Sequence, residues 1–514
     1  ATVGGELQVK QNARLARALK RLAGELYGSD VHWQLELLQN ADDNVYDEEL
    51  EPTAELTLRP GEVLFRCNER GFRDADIRAI CDIGNSSKVG AAKYAAGGRV
   101  LATGEKGLGF KAVFALTNSP KVLSGGFRIE FDAMHPSGIG YVLPRWMGSE
   151  AEAEEAEALL EGGWGSALRL PLRPDLLPRQ AELFGQLQEL PASSLLFLKQ
   201  LREVAIVDET AVLDKEGGSA AAGVHMRRAD DFDGGASHDA RWREVTQRVR
   251  LEVSRGGGPW ESEAWLLLRR RFAVPAGVAK PGSTNPPETT LVELALPLDD
   301  QGAFDRSRGK QPVFAFLPVR SFGLSFALQA DWAVSSSREE LLSGCAWNEF
   351  LKAQLPSLLL ELVEEAKKEK PGSALQWSVY SALPSMAAAP PFFRSSFTQL
   401  HAALRSRECI LTDEGVYCHP RQAFRCSAEV RAAFGPPAEG RGQAASLRQA
   451  LRSQGHHLIH ERVEASAHAA LLDGLGVQRF GAAQLLRLLP AIAAEADTSS
   501  APSVWRGALA LLDE

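Results

Sequence analysis

The sequence predicts an α+β fold spread over about three domains, and three observations predict it. First, residues 32–43 carry apolar side chains at helical spacing and precede two short strand-like runs, 55–58 and 63–67. Second, apolar runs return at 249–253, 265–268, 311–320 and 324–328 and read as strands of a second α/β domain. Third, the part beyond residue 373 is rich in Ala, Leu and Arg and reads as mainly helical. The expected boundaries are 1–175, 176–372 and 373–514. A chain of 514 residues is too long for a single core.

The first helix is the most informative element. Trp33, Leu37, Leu38 and Ala41 are placed for the core. Positions four apart share a helix face, so Glu36 and Asn40 point the same way and Asp43 follows one turn later. Buried polar groups need partners, so this grouping beside apolar residues calls for a reason. Two carboxylates and an amide oxygen on one face can hold a hydrated Mg²⁺ and orient a water. That ion prefers oxygen ligands, keeps several waters and takes its remaining ligands from nucleotide phosphates. The alternative is a solvated helix end rich in acid.

A Gly-rich stretch, Gly104, Glu105, Lys106, Gly107, Leu108, Gly109, Phe110 and Lys111, opens the apolar run 112–116. Glycines let backbone approach a ligand closely, and the N–H groups of a following helix start face a phosphate. The stretch is neither a Walker A loop nor a dinucleotide fingerprint, so its weight comes from its order after the Glu/Asn/Asp helix. Between them lie Cys67, Asn68, Glu69, Arg70 and Gly71, then a short helix pattern at 76–81 and a Gly84 to Lys88 turn.

This order, carried by QNARLARALKRLAGELYGSDVHWQLELLQNADDN, NERGFRDADIRAICDIGNSSK and GEKGLGFKAVF, resembles the GHKL superfamily of gyrase, heat-shock chaperones, histidine kinases and MutL. Within it the sequence is similar to the NO VEIN- and sacsin-like proteins, over roughly residues 8–370. The resemblance implies an N-terminal two-layer α/β sandwich of the Bergerat type that binds ATP with Mg²⁺, then a chaperone-middle-like domain. It implies that Glu36 polarises the attacking water, Asn40 is the Mg²⁺ ligand and Asp43 is an acid near the nucleotide. Gly104, Gly107 and Gly109 match the phosphate-facing lid, with Lys88, Lys106, Leu108 and Phe110 beside them in the nucleotide set. Ser166 stands where relatives carry a Thr on a late strand near the adenine. Arg338, in a Ser-Arg-Glu segment, matches an arginine that reaches the terminal phosphate; a surface arginine beside Glu339 is the alternative.

One departure concerns base recognition. The superfamily places an Asp four residues before the glycine matched by Gly71. Here that position is Cys67, a poor acceptor, and Asn68 or Glu69 is left to take the role. The implied cycle is closure of 84–104 as a lid, in-line attack by a water that Glu36 deprotonates, and arrival of Arg338 from the second domain. Nucleotide state would then act as a conformational switch in a chaperone-like or assembly role, with protein clients and a homodimer as candidate partners. The alternatives are a nucleotide-binding module without turnover and a scaffold with a decayed pocket. A histidine kinase is disfavoured, because residues 8–27 contain no phospho-acceptor His.

Composition agrees. Hydrophobic content of 45% is ordinary for a globular protein, and a net charge of −9 argues against a general nucleic-acid coat. No apolar run reaches membrane-spanning length. The six cysteines are sparse, which fits a reducing compartment, cytoplasmic or nuclear. Cys409, Cys418, His419 and Cys426 lack the short spacing of a zinc site, and His456 and His460 lack an HExxH pattern. The chain opens at Ala1 and reads as a fragment or processed product. Residues 150–161 read as an inserted, solvated acidic helix, 217–235 as a mobile loop, 281–287 as a second loop and 347–368 as one long helix.

Overall fold

A computed structural model describes residues 14, 32–82, 94–95, 99–100, 109–210, 222–229, 244–283, 286–335, 340–434, 447–467 and 469–495. The chain forms two compact units, one of residues 1–295, 313–320 and 328–348, the other of 296–312, 321–327 and 349–514.

The first unit opens, within the described residues, on helix α1 (His32–Asp42). Trp33, Leu37, Leu38 and Ala41 are all buried to 2% exposure or less, as the helical period predicts. Strands β1 (Thr53–Arg59) and β2 (Glu62–Cys67) form an antiparallel hairpin that pairs Ala54 with Cys67 and Arg59 with Glu62. Helix α2 (Asp74–Ile80) follows, then the short pair β3 (Tyr94–Ala95) and β4 (Arg99–Val100). Gly109–Ala115 is wound as a 3₁₀ helix, not as the α-helix start the sequence suggests. Three residues per turn give about 2.0 Å of rise per residue instead of 1.5 Å, so a short segment spans further across α1, against which it packs.

Strands β5 (Lys121–Ser124), β6 (Phe127–Glu130) and β7 (Arg145–Trp146) lead to helix α3 (Glu150–Leu160). Ser149 caps α3 by accepting from the Glu152 N–H, and the Glu152 carboxylate accepts from the Ser149 N–H in return. Only Ala156 of α3 is buried, in keeping with a largely solvated acidic helix. Strand β8 (Ser166–Pro171) then inserts between β2 and β5 and sets Ser166 opposite both Cys67 and Ser124.

After helix α4 (Gln180–Gln188), strand β9 (Glu203–Asp208) runs parallel to β1. Strand β10 (Ala222–Ala229) lies inside the stretch expected to be a loop, which corrects that expectation for these residues. Gly, Ala and Asp flank a period-2 core, in which Val224, Met226 and Arg228 are buried while Arg227 is exposed. Arg228 fits inside because its guanidinium donates to the Leu196 carbonyl at 2.7 Å. Strands β11 (Val245–Arg255), β12 (Glu261–Ala273), β13 (Thr289–Leu298), β14 (Gln311–Ala315), β15 (Leu317–Leu324) and β16 (Ala327–Ala330) complete a mixed sheet. Among the described residues it has 14 strands in the order β15-β14-β16-β13-β12-β11-β10-β9-β1-β2-β8-β5-β6-β7. The chain is thus a mixed α+β protein with one large sheet.

The long helix expected over 347–368 is two helices, α5 (Ala346–Lys352) and α6 (Leu355–Lys368). Pro356 causes the break, because it has no N–H to give the carbonyl one turn back, at Lys352. In the second unit Ser396 Oγ donates to that carbonyl instead, at 2.8 Å. Among the described residues from 369 onward this unit is mainly helical with two small sheets. One is a two-stranded ladder of Ile410–Leu411 with Tyr417–Cys418. In the other, Ala423–Arg425 runs parallel to both His457–Leu458 and Gln478–Arg479.

Ser396→Ala should leave the Lys352 carbonyl buried and unpaired and lower stability by about 1–2 kcal/mol, while Ser396→Thr keeps the bond. Denaturant titration of the two variants checks this, and equal midpoints would rule it out.

Candidate functional site

Helix α1 supplies the centre of the site. Glu36 and Asn40 are half-buried, one turn apart. Asp43 lies deeper. Its side chain is fully buried and ion-paired with the nearly buried Lys199 ammonium. Asp42, 1% exposed, accepts three backbone N–H bonds, from Lys199 at 2.8 Å, Gln200 at 2.7 Å and Leu201 at 3.0 Å. Gln200 Nε2 donates in turn to the carbonyls of Asn44 and Asp42. The two acids at the end of α1 are therefore fastened to the segment that leads into β9.

A second tie runs to the hairpin. Tyr46 Oη donates to the Ala41 carbonyl at the end of α1, at 2.8 Å, an oxygen that also accepts from the Asn44 N–H at 3.0 Å. The same oxygen lies 2.9 Å from Cys67 Sγ. With the phenol proton directed at Ala41, the thiol is the donor of that contact. Burial, then the Glu69 carboxylate, pushes the Cys67 thiol up to about 12, so it stays protonated and unreactive. Cys67 is thus a packing and hydrogen-bonding residue at the end of β2.

Asn68 and Glu69, adjacent in sequence, serve different ends. Asn68 Oδ1 accepts from the Thr53 N–H at 2.8 Å, and its Nδ2 donates to the Glu51 carbonyl at 2.8 Å. Its amide is engaged in holding the start of β1. Glu69, 5% exposed, accepts from Ser166 Oγ at 2.6 Å. The loop around them is floored by glycine backbone. A Cβ on Gly165 would sit 1.6 Å from the Glu69 carbonyl, and Gly71 has φ +93 with Gly125 N at 3.2 Å from its missing Cβ. Ser124 Oγ stitches this floor, accepting from the Phe72 N–H at 2.8 Å and donating to the Gly165 carbonyl at 3.1 Å.

Beyond α1, Gly109 begins the 3₁₀ helix, and the Phe110 ring packs 5.5 Å from Phe131. Lys111 is 6% exposed and donates to the carbonyls of Ile80 and Tyr141. Burial pulls its ammonium down to about 8, against smaller upward pulls from Cys81 and Asp82. Lys88, Gly104, Lys106, Gly107, Leu108 and Arg338 lie outside the described residues, as does the 84–93 part of the expected lid. The described residues on either side of Arg338, up to Ser335 and from Glu340, are held together. Asn348 accepts from the Ala333 N–H at 2.9 Å and donates to the Ala333 and Leu342 carbonyls at 2.8 and 2.9 Å.

The donors on α1 suit a hard cation, since an amide oxygen and a carboxylate match Mg²⁺ better than a softer metal. Among the described residues no group of three or more His, Cys, Asp or Glu stands together to hold an ion. A Mg²⁺ at Asn40 would accordingly keep water and take phosphate oxygens. Gln39, next to Asn40, is 2% exposed, and neither of its amide atoms has a hydrogen-bond partner. An unpaired buried amide of this kind marks a place where water or a polar ligand fits. In the second unit, Cys409 and Cys418 are packed as thiols, both pushed up to about 12 by burial.

Sequence reasoning passed over Lys199, Asp42, Tyr46 and Lys111. The one signal for Lys199 was a charge closing the apolar run Leu195, Leu196, Phe197, Leu198.

Comparison with known proteins places most of this geometry in one module, since residues 13–137 match the Sacsin domain family. That match spans α1, the hairpin, α2 and the 3₁₀ helix. Over 432 residues, 80% of the chain, the sequence is 30% identical to Protein NO VEIN of Arabidopsis thaliana. The chain spans 14% of that relative's length. The chain is thus similar to a sacsin-type domain over residues 13–137 and to Protein NO VEIN over most of its own length.

Lys111 generates a pH prediction. Its ammonium titrates near 10.5 unfolded and near 8 folded. Between those values the unfolded chain holds the extra proton, so this group's contribution to stability rises with pH and is lost as pH falls through 8. Relative to Lys111→Met, the unaltered chain should gain on the order of 3 kcal/mol across that window, measured by denaturant unfolding at several pH values. A flat difference would contradict the buried ammonium.

Proposed function

We propose that this chain binds ATP with Mg²⁺ at the α1 face and hydrolyses it slowly, using nucleotide state as a conformational switch in a chaperone-like or assembly role. The observation that carries the reading is the Tyr46 bridge. It joins the end of α1 to Cys67, and so brings the Glu36/Asn40 helix beside the Glu69–Ser166 pair on its glycine floor. Resemblance to the GHKL superfamily supplies the chemistry, and the sacsin-type match over residues 13–137 includes α1, Tyr46, Cys67 and Glu69.

In this reading Asn40 provides the protein oxygen for Mg²⁺, which when bound neutralises phosphate charge. Glu36 orients and deprotonates the attacking water. Of the two residues that stand in for the absent Asp, Glu69 is the base acceptor, because the Asn68 amide is already committed to Thr53 and Glu51. Arg338 is the phosphate-facing arginine by resemblance. Partners are protein clients, and the compartment is intracellular, cytoplasmic or nuclear. Among the described residues no helix is long and apolar enough to cross a membrane.

A second reading, a nucleotide-binding or scaffold module without turnover, is favoured by one feature. The thiol at Cys67 replaces the superfamily's acid and is engaged with Tyr46.

MgATP binding and phosphate release distinguish these readings. Glu36→Ala should keep binding within a few-fold and lose turnover by about 10²-fold or more. Asn40→Ala should abolish the Mg²⁺ dependence of binding. Glu69→Gln should weaken ATP binding and narrow the preference for ATP over GTP, whereas Asn68→Ala should act mainly on stability. Absence of binding by the unaltered chain up to about 1 mM nucleotide would remove the reading altogether.

A further inference from the structure

The buried ion pair Asp43–Lys199 lies against the one strained non-glycine residue among the described residues. Phe316, between β14 and β15, has φ +68, the left-handed region that a bulky side chain enters only when its surroundings impose it. The Lys199 ammonium sits 5.6 Å from the centre of the Phe316 ring, and two residues earlier the Phe197 ring lies 4.8 Å from Phe314 on β14. The Phe316 N–H is held by Gln329 Oε1 of β16 at 2.7 Å, and Gln329 is 2% exposed.

From β16 the polar chain continues. Asp331 is paired with Lys280 at 2.7 Å, and its carbonyl accepts from Trp347 Nε1 at 2.7 Å. Next comes the Asn348 clamp on Ala333 and Leu342. The Ser335 N–H donates to the Glu340 carbonyl at 2.8 Å, next to the Val334–Leu341 bridge. All of these residues belong to the first unit. They form one continuous packed and hydrogen-bonded path from the end of α1 to the Val334–Leu341 bridge.

Strain of this kind is retained where a segment must choose between two arrangements. We propose that Lys199 is a positioning residue that couples the Glu36/Asn40 face to the Phe316 turn, so that a ligand on α1 resets the strands leading to the Val334–Leu341 bridge. The ammonium is shared between a fully buried carboxylate and an aromatic face. Any ligand that draws on the end of α1 changes that sharing, and the ring and its strained backbone respond. The proposal rests on the nucleotide reading above and adds to it the route by which the site reports outward.

The test is hydrogen exchange read by mass spectrometry on peptides covering 36–46 and 311–335, with and without MgATP. It uses the unaltered chain, Lys199→Met, Lys199→Arg and the double variant Lys199→Met with Asp43→Asn. The double variant removes the uncompensated buried charge and serves if Lys199→Met does not fold. In the unaltered chain both peptides should slow with MgATP. In Lys199→Met, or in the double variant, only 36–46 should respond, and the response at 311–335 should fall by about fivefold or more. Lys199→Arg should restore it, a rescue that a merely structural lysine would not predict at unchanged ligand occupancy. An undiminished response at 311–335 in the charge-deleted variants overturns the proposal. So does a response confined to 36–46 in the unaltered chain. No response at either peptide, with no MgATP bound, overturns the nucleotide reading and this inference with it.

Discussion

The Asp42 carboxylate is the constraint on which the site depends. It gathers the backbone N–H groups of three successive residues, Lys199, Gln200 and Leu201, and so fixes the end of α1 to a segment 157 to 159 positions away. Carboxylates that accept several backbone N–H bonds make strong, directional anchors. With the helix end held, Tyr46 can cap Ala41 and meet Cys67, and β9 can enter the sheet beside β1. Glu36 and Asn40 then keep a defined attitude to the Gly109–Ala115 turn, against which α1 packs.

The acids and amides near α1 divide their work. Asp42 and Asp43 are engaged in the fold, one by backbone donors and one by Lys199. Asn68 likewise holds the start of β1, while Glu69 faces Ser166 over glycine backbone that admits no Cβ at Gly165. Beside the half-buried Glu36 and Asn40 lies the unpartnered Gln39 amide. Buried polar groups left without partners are rare enough to mark a place where a ligand or water belongs.

Local signals in the sequence announced much of this. The apolar spacing at Trp33, Leu37, Leu38 and Ala41 described α1, and the runs around Leu56 and Phe65 described the hairpin. The Ala/Glu-rich run 150–161 described α3. What local signals missed were partnerships made across the chain. Nothing near Asp42 shows that its donors lie after residue 198, and nothing near Cys67 shows that its partner is Tyr46. Strand β10 was hidden by Gly-rich flanks, although its alternation of Val224, Met226 and Arg228 was present. Pro356 is the local signal for the break between α5 and α6, and the apolar period of 347–368 masked it.

The most direct test is a crystal structure of the chain grown with Mg²⁺ and a non-hydrolysable ATP analogue. The account predicts the metal at about 2.0–2.1 Å from Asn40 Oδ1 with its other ligands from water and phosphate, Glu36 facing the terminal phosphate, and the base against Glu69 and Ser166. A nucleotide bound elsewhere, or a bare α1 face at saturating ligand in solution binding assays of the same protein, would contradict it.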